Sequence, residues 1–478
     1  MKTSAQTRLE NIGLASRVLI LILVVSSLNA CSPLVSKDAK PNIVLINIDD
    51  MGWKDVGFMG SDYYETPHID QLASQGMIFS NGYSASANCA PSRACLMTGK
   101  WTPRHGIYTV NSSERGESKD RKLIPTENTT ILSKEHPVIP SILKHEGYTT
   151  IHAGKWHLSK EPLDYGFDVN IGGGFNGMPR SYYPPYGNVN LEGGEDQLLT
   201  DLIMEKAIEF VDSASGPFFI YYSPYAVHTP ITPVVPLIEK YKGKTGANGQ
   251  DNQAYATMVE NVDRNIGLLI SSLKAKGVFD NTLIVFTSDN GGLYGITKQL
   301  PLRAGKGAYY EGGIREPFFI MLKGKIVANS TSQIPVTSLD IFPTLMHYAG
   351  ADVNDLLLDG VNLAPILESK KNDLTRPLFW HFPIYLEAYN VNNNQNRDPL
   401  FRTRPGSAVR LGDWKLHYYF ENNEMELYNL SRDIGEQENL ADIEPKKRDE
   451  LLVLLQNWWT ETNAPIPTEL NPEFEGGT

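Results

Sequence analysis

Two runs of apolar, largely β-branched residues lie far apart in the chain and end alike. Asn42 to Ile48 closes on Asp49-Asp50, and Thr282 to Thr287 closes on Ser288-Asp289-Asn290. Such continuous runs suit strands buried on both faces of a parallel sheet, because a strand with one wet face would alternate. Carboxylates at the ends of two such strands stand where ligands sit in open α/β sheets, and burying them is costly unless something positive meets them. For either acidic end alone a solvated turn is the simpler reading, Asp49-Asp50 before Gly52 above all. Two together favour a metal site, with Asp49, Asp50, Asp289 and Asn290 as hard oxygen donors for Ca²⁺, and Mg²⁺ as the second choice. Without an ion the neighbouring carboxylates would repel one another and shift their pKa values.

Between and beyond these runs the chain alternates two patterns. Tyr148 to Ile151, Phe218 to Tyr222 and Phe318 to Leu322 read as strands; Ile139 to Glu146, Glu195 to Val211, Gln253 to Lys276 and Ser338 to Tyr348 read as helices. The alternation implies a large, doubly wound, mostly parallel sheet covered by helices on both faces, over residues 41–370. From about Lys370 the pattern changes. Leu378 to Phe382, Ser407 to Leu411, Trp414 to Phe420 and Glu424 to Tyr428 read as short antiparallel strands and Pro445 to Trp459 as a closing helix, a smaller α+β subdomain over 371–478. The long polar stretches Asn111 to Asn128 and Gly172 to Gly194 are loops of the kind that form lids or substrate walls.

A chain of 478 residues with 41% hydrophobic and 21% charged residues has the composition of an ordinary globular protein. Its formal net charge of −12 argues against a general nucleic-acid binder, which needs a basic face, but leaves room for a local basic pocket that takes an anion. Lys2, Arg8 and Arg17 precede the apolar run Val18 to Val25, which is too short to span a bilayer and reads as an export signal. Leu28-Asn29-Ala30-Cys31 has the form of a bacterial lipobox. Residues 1–30 are then a cleaved signal peptide, Cys31 a lipid-bearing first residue and 31–40 a tether, placing the protein in the periplasm or on the outer-membrane surface; an ordinary secretory signal is the alternative. Three cysteines, Cys31, Cys89 and Cys95, are too few for a disulfide scaffold, although a Cys89 to Cys95 bridge stays open as a competing reading.

The stretch Asn88 to Gly106, NCAPSRACLMTGKWTPRHG, concentrates reactive and anion-binding residues. Pro91 suits the first turn of a helix beginning next to Cys89, so Cys89 stands where unpaired N–H groups and the positive dipole end gather, with Arg93 one turn on along the same face. Such a place holds an oxyanion and activates a nucleophile; alternatively a buried Cys simply starts a core helix. Four further motifs carry cationic or proton-transferring groups: Lys155-Trp156-His157, His228 in Tyr225 to Pro230, Lys306 in Pro301 to Gly307, and Tyr310 to Arg315. Singly, each has a plain structural reading.

Taken in order, these motifs and C-x-P-S-R-A-x-L-x-T-G-K resemble the type I sulfatases of the alkaline phosphatase superfamily. The resemblance implies that Cys89 is oxidised to formylglycine by a maturation enzyme and that it stands at the metal with Asp49, Asp50, Asp289 and Asn290. It also implies that Arg93, Lys155, His157, His228 and Lys306 surround the sulfate. The implied reaction is hydrolysis of a sulfate ester: one hydroxyl of the aldehyde hydrate attacks sulfur to give a covalent sulfo-enzyme, and the second expels sulfate. By analogy His228, with Lys306, protonates the leaving oxygen and His157 acts as base. An exported, lipid-anchored member of this family is expected to act on a sulfated polysaccharide or oligosaccharide, an algal galactan such as carrageenan or, alternatively, a glycosaminoglycan. The expected sugar contacts are His105, Arg303, His381, Arg402 and Arg404, the last two in a loop from Pro383 to Pro405 that otherwise reads as a flexible surface loop. A phosphate or phosphonate ester hydrolase of the same superfamily, and an inactive surface glycan-binding protein, are the other readings.

Overall fold

The first apolar run forms β1 (Asn42–Ile48) and lies near the middle of an eight-stranded sheet. The other strands, in chain order, are β2 (Met77–Phe79), β3 (Thr149–Gly154), β4 (Val169–Ile171), β5 (Phe218–Ser223), β6 (Thr282–Ser288), β7 (Phe319–Met321) and β8 (Ser330–Ser332). Across the sheet they run β8-β2-β7-β6-β1-β5-β3-β4. In this computed structural model residues 40–476 are described, apart from 372 and 393, so the export signal, Cys31 and the tether lie outside the described residues.

β1 pairs in parallel with β5 on one side and β6 on the other. Its residues divide by parity. Val44, Ile46 and Ile48 join one buried cluster with α1 (Pro67–Ser74), α4 (Leu199–Ser213) and α5 (Gln253–Ala275). Ile43 and Leu45 join another with α2 (Cys89–Thr98), α3 (Ile139–His145) and α6 (Ile341–Ala349). A strand buried on both faces cannot alternate in polarity, which is why the run reads as continuously apolar. The sheet is mixed at one edge: β7 is antiparallel to both β6 and β2.

The C-terminal strands β9 (Leu378–Phe382), β10 (Gly406–Leu411), β11 (Trp414–Tyr419) and β12 (Glu424–Asn429) form an antiparallel sheet in sequence order. The helix α7 (Pro445–Thr462) closes it, burying Leu451, Leu455 and Trp458, with Trp458 stacked on Phe379 at 4.8 Å. Both sheets lie within one compact unit that begins at Lys40.

A buried ionic network ties β11 to the segment that follows Lys306. Lys415 donates to Glu311 at 3.0 Å and pairs with Glu436 at 3.0 Å, and Arg315 and Tyr83 reach the other Glu311 oxygen at 2.9 and 2.7 Å. The Lys415 and Arg315 cations outweigh burial and hold the Glu311 carboxyl down at about 2, against an ordinary 4.5. Its folded-state pKa is therefore depressed, so this stabilisation is present above about pH 4.5 and lost as pH falls toward 2. Glu311→Gln, which leaves Lys415 and Arg315 short of a counter-charge, is expected to lower stability on the order of 3 kcal/mol at pH 7. Denaturant titrations at pH 7 and pH 3 check this: the gap between variant and parent should shrink at the lower pH.

Candidate functional site

Register places the acidic strand ends together. Ile48 pairs with Ser288, so Asp49 and Asp289 follow side by side at the carboxyl ends of β1 and β6. Asp289 N–H donates to the Ile48 carbonyl at 3.1 Å, and Asp50 N–H to Asp289 Oδ1 at 3.1 Å. The next parallel strands end at the same level: β5 at Ser223, and β3 at Gly154, which is followed by Lys155. At Gly154, φ is +113° and a Cβ would lie 2.0 Å from the Ser223 carbonyl oxygen, so only glycine lets the two strand ends approach this closely.

The fourth contribution comes from α2. Asn88 caps it with extended backbone and accepts from the Cys89 N–H at 3.2 Å, which puts Cys89 in the first turn. Cys89 Sγ lies 3.8 Å from Asp50 Oδ1, and Cys89 and Cys95 are both free thiols, so the competing bridge between them is absent. Arg93, one turn on and fully buried, grips Asp289 through Nε at 2.9 Å and Nη2 at 2.8 Å, and donates from Nη1 to the Lys155 carbonyl and Ser223 Oγ.

Each carboxylate has its own cation. Lys155 Nζ lies 2.8 and 2.9 Å from the two Asp49 oxygens, and Lys306 Nζ lies 2.7 and 2.8 Å from those of Asp50. Asn290 donates to Asp50 Oδ1 at 2.8 Å, while its own Oδ1 is buried with no partner. Burial pushes the Asp49 carboxyl well above the usual range, and Asp289 adds to this, even against the Lys155 ammonium. Three crowded carboxylates and an orphaned buried amide oxygen, with Cys89 beside them, form an oxygen donor set that fits a hard divalent cation. With three cations matching three carboxylates, an added divalent ion would leave the cluster two charges positive, which suits an anionic ester.

Two histidines overlook this floor. His157 is held at φ 64°, an uncommon conformation for a non-glycine residue; Asp50, itself one of the candidate metal donors, shares it, at φ 58°. Burial first, and then the Lys155 charge, push the His157 imidazole well below its ordinary value, so it is neutral at pH 7 and able to accept a proton. His228 Nδ1 donates to the Thr229 carbonyl at 2.8 Å, which leaves Nε2, 3.5 Å from Asp50 Oδ2, as the ring atom that handles a proton. Burial and then Lys306 lower its pKa as well.

Cys89, His157, His228 and Lys306 line one cavity of about 490 Å³, walled by Arg115, Phe175, Tyr389 and Arg402 from the long loops. Of the five expected sugar contacts only Arg402 lines it, and the other four are packed outside its lining. His105 is buried, with Nε2 3.3 Å from Cys95 Sγ and Nδ1 accepting from the Ile107 N–H. His381 bonds Ser407 Oγ and the Pro465 carbonyl, and burial pushes both rings down to about 3. Arg303 is spent on the Gln395 and Glu436 carbonyls and stacks on Tyr310, and Arg404 is held by Asp398 and Glu421. Sequence reading missed Arg115, Phe175 and Ser223 individually. The first two lie in the loops singled out as substrate walls, and Ser223 carries no signal beyond its place at a strand end.

Comparison with known proteins gives a consistent result. The profile described as Sulfatase matches residues 41–351, and one described as N-sulphoglucosamine sulphohydrolase, C-terminal, matches 305–461. A sulfatase of Formosa agariphila is 33% identical, with 94% of each chain covered. The N-acetylgalactosamine-6-sulfatase of Canis lupus familiaris is 30% identical over 90% of this chain and 81% of its own. Among solved structures, Ps i-CgsB in complex with k-i-k-neocarrahexaose superposes with a TM-score of 0.72 at 31% identity, over 88% of this chain and 92% of that one.

Proposed function

The chain belongs to the sulfatase family and is a sulfuric ester hydrolase of the type I class, and on that premise we propose that it removes sulfate from a sulfated galactan of the carrageenan kind, by way of a formylglycine at position 89 and with Ca²⁺ at the acidic strand ends. The observation that carries the reading is the nucleophile position on the floor of a cavity where Lys306, His228 and His157 converge. The likeness to a solved enzyme holding a carrageenan hexasaccharide supports the galactan, and the N-acetylgalactosamine-6-sulfatases make glycosaminoglycans the second choice.

When present, the aldehyde hydrate at position 89 supplies two hydroxyls on one carbon, one to take sulfate from the ester and one to release it. The divalent ion supplies charge that draws electron density from the sulfate oxygens. The chain's own residues do the rest. Asp49, Asp50, Asp289 and the orphaned Asn290 Oδ1 would hold the ion. Arg93 fixes Asp289 and the ends of β3 and β5 in one rigid frame. Lys306, at the cavity wall, faces the sulfate oxygens and the leaving oxygen. Neutral His157 is suited to take a proton from the nucleophile, and His228 Nε2 to deliver one to the departing sugar oxygen once protonated. Overall one ester and one water give the alcohol, sulfate and a proton.

The test is release of free sulfate from a panel of carrageenans, chondroitin sulfate and heparan sulfate, with phosphate and phosphonate esters assayed in parallel. Carrageenan is expected to give the highest kcat/KM. Phosphate release that outruns sulfate release on matched esters would sink the proposal.

A further inference from the structure

The catalytic cavity adjoins two others. A cavity of about 270 Å³ shares Lys306, Tyr389 and Arg402 with it, and another of about 680 Å³ shares Asn111 and Phe175. The two flanking cavities have no lining residue in common, so each borders the Cys89 cavity at a different part of its wall. At each junction stands an exposed aromatic ring: Tyr389 is 58% exposed and Phe175 is 36% exposed. A flat apolar ring with open solvent over it is a platform for the apolar face of a sugar ring.

The flanks differ in charge. At the Tyr389 junction the Arg402 guanidinium stacks on the ring at 3.4 Å and donates only to the carbonyls of Glu387 and Lys306. Among the described residues no carboxylate lies within ion-pair distance of it, although every other arginine along that loop has one. The neighbouring Glu387 is taken up by Arg115. The opposite flank has Glu114 and Glu127 and no cation in its lining.

Building on the sulfated-polysaccharide reading, we propose that the three cavities form one trough that seats a polysaccharide lengthwise, so that sulfate is removed from within a chain. Arg402 binds a second anionic group of the same chain on the Tyr389 side, and the sugar over Glu114 and Glu127 carries none. An unpaired, half-buried guanidinium stacked on an aromatic ring is preorganised for a sulfate or carboxylate, whereas the two glutamates repel one. A site that served only chain ends would need a wall where either flank continues.

The experiment uses the matured enzyme and long carrageenan, or whichever polymer of the panel releases sulfate, with an aryl sulfate as the small substrate. Many sulfates per chain are expected from the outset, with chain length unchanged by size-exclusion chromatography. Release that stops at one sulfate per chain, at a rate that follows the number of chain ends, overturns the trough while aryl sulfate turnover leaves the sulfatase reading standing. No turnover of polymer or aryl sulfate overturns both. For the second anion, Arg402→Gln is expected to lower, by 10- to 100-fold, the ratio of kcat/KM for hexasaccharides with and without a sulfate on the neighbouring sugar. Glu114→Gln with Glu127→Gln is expected to weaken discrimination against a sulfate on the other side. An unchanged ratio in Arg402→Gln, with the variant's melting temperature unchanged, overturns the assignment.

Discussion

Replacing Cys89 by serine is expected to abolish turnover, by roughly 10⁴-fold or more, and to leave the fold intact. The substitution is nearly isosteric at a first-turn position where the Asn88 cap is untouched, and the side chain it replaces is 2% exposed and donates to Asp50 Oδ1 at 3.8 Å, a bond a serine hydroxyl can also make. A serine hydroxyl beside Lys306 and Asp50 is placed to accept sulfate. It has no second hydroxyl on the same carbon with which to expel it, so the variant should stall after at most one turnover. Steady-state sulfate release, together with a mass measurement of the peptide holding residue 89, checks both halves. The parent peptide should show sulfur lost and aldehyde gained, and the serine variant incubated with substrate should gain the mass of SO₃. Retention of more than a tenth of the parental rate by the serine variant would rule out the aldehyde.

Stripping the divalent cation is the second large effect, expected to lower kcat/KM by at least about 100-fold, with Ca²⁺ restoring it better than Mg²⁺. The three carboxylates Asp49, Asp50 and Asp289 are all buried, and burial with mutual repulsion already drives Asp49 toward its protonated form. Without the ion, Lys155 and Lys306 remain committed to those carboxylates at 2.7–2.9 Å and are less available to an incoming sulfate. Full activity in a preparation shown metal-free by elemental analysis would overturn the metal assignment. Asp289→Asn gives an independent handle, since it should weaken metal binding and also release Arg93, with a lower melting temperature as the accompanying sign.

The parts of this fold that can be read from the chain are those where one physical requirement dominates. Asn42–Ile48 and Thr282–Ser288 are buried on both faces and so are largely apolar, and their similar acidic endings pointed to one shared site. Gln253–Ala275 is long enough for its period to show. The three-residue strands Met77–Phe79 and Ser330–Ser332 have too few positions for any period, and nothing local marks Phe319–Met321 as antiparallel. Part of the floor of the site was legible for a similar reason: Asp49, Asp50 and Asp289 stand out as carboxylates closing apolar runs, whereas Lys155 and Lys306 were marked only by the resemblance to the sulfatases. Its walls were not. Arg303, Arg402 and Arg404 have the same chemistry within one loop neighbourhood, and only the tertiary partners, Glu436 and Gln395 for one and Glu421 and Asp398 for another, decide which arginine is left to face the cavity.

The nearly complete enclosure of Cys89 also sets a schedule. Asp50, against which its Sγ lies, follows β1, whose partner β6 begins roughly 190 residues downstream of Cys89. At a synthesis rate of about 5–20 residues per second, the Cys89 segment exists for roughly ten to forty seconds before the strand that completes its surroundings has been made. On the proposed formylglycine reading, conversion of the thiol to an aldehyde by an external catalyst would belong to that interval, and a molecule that folds first would be locked out of maturation. The active fraction of a preparation then measures a race between oxidation and folding, and slower expression should raise it.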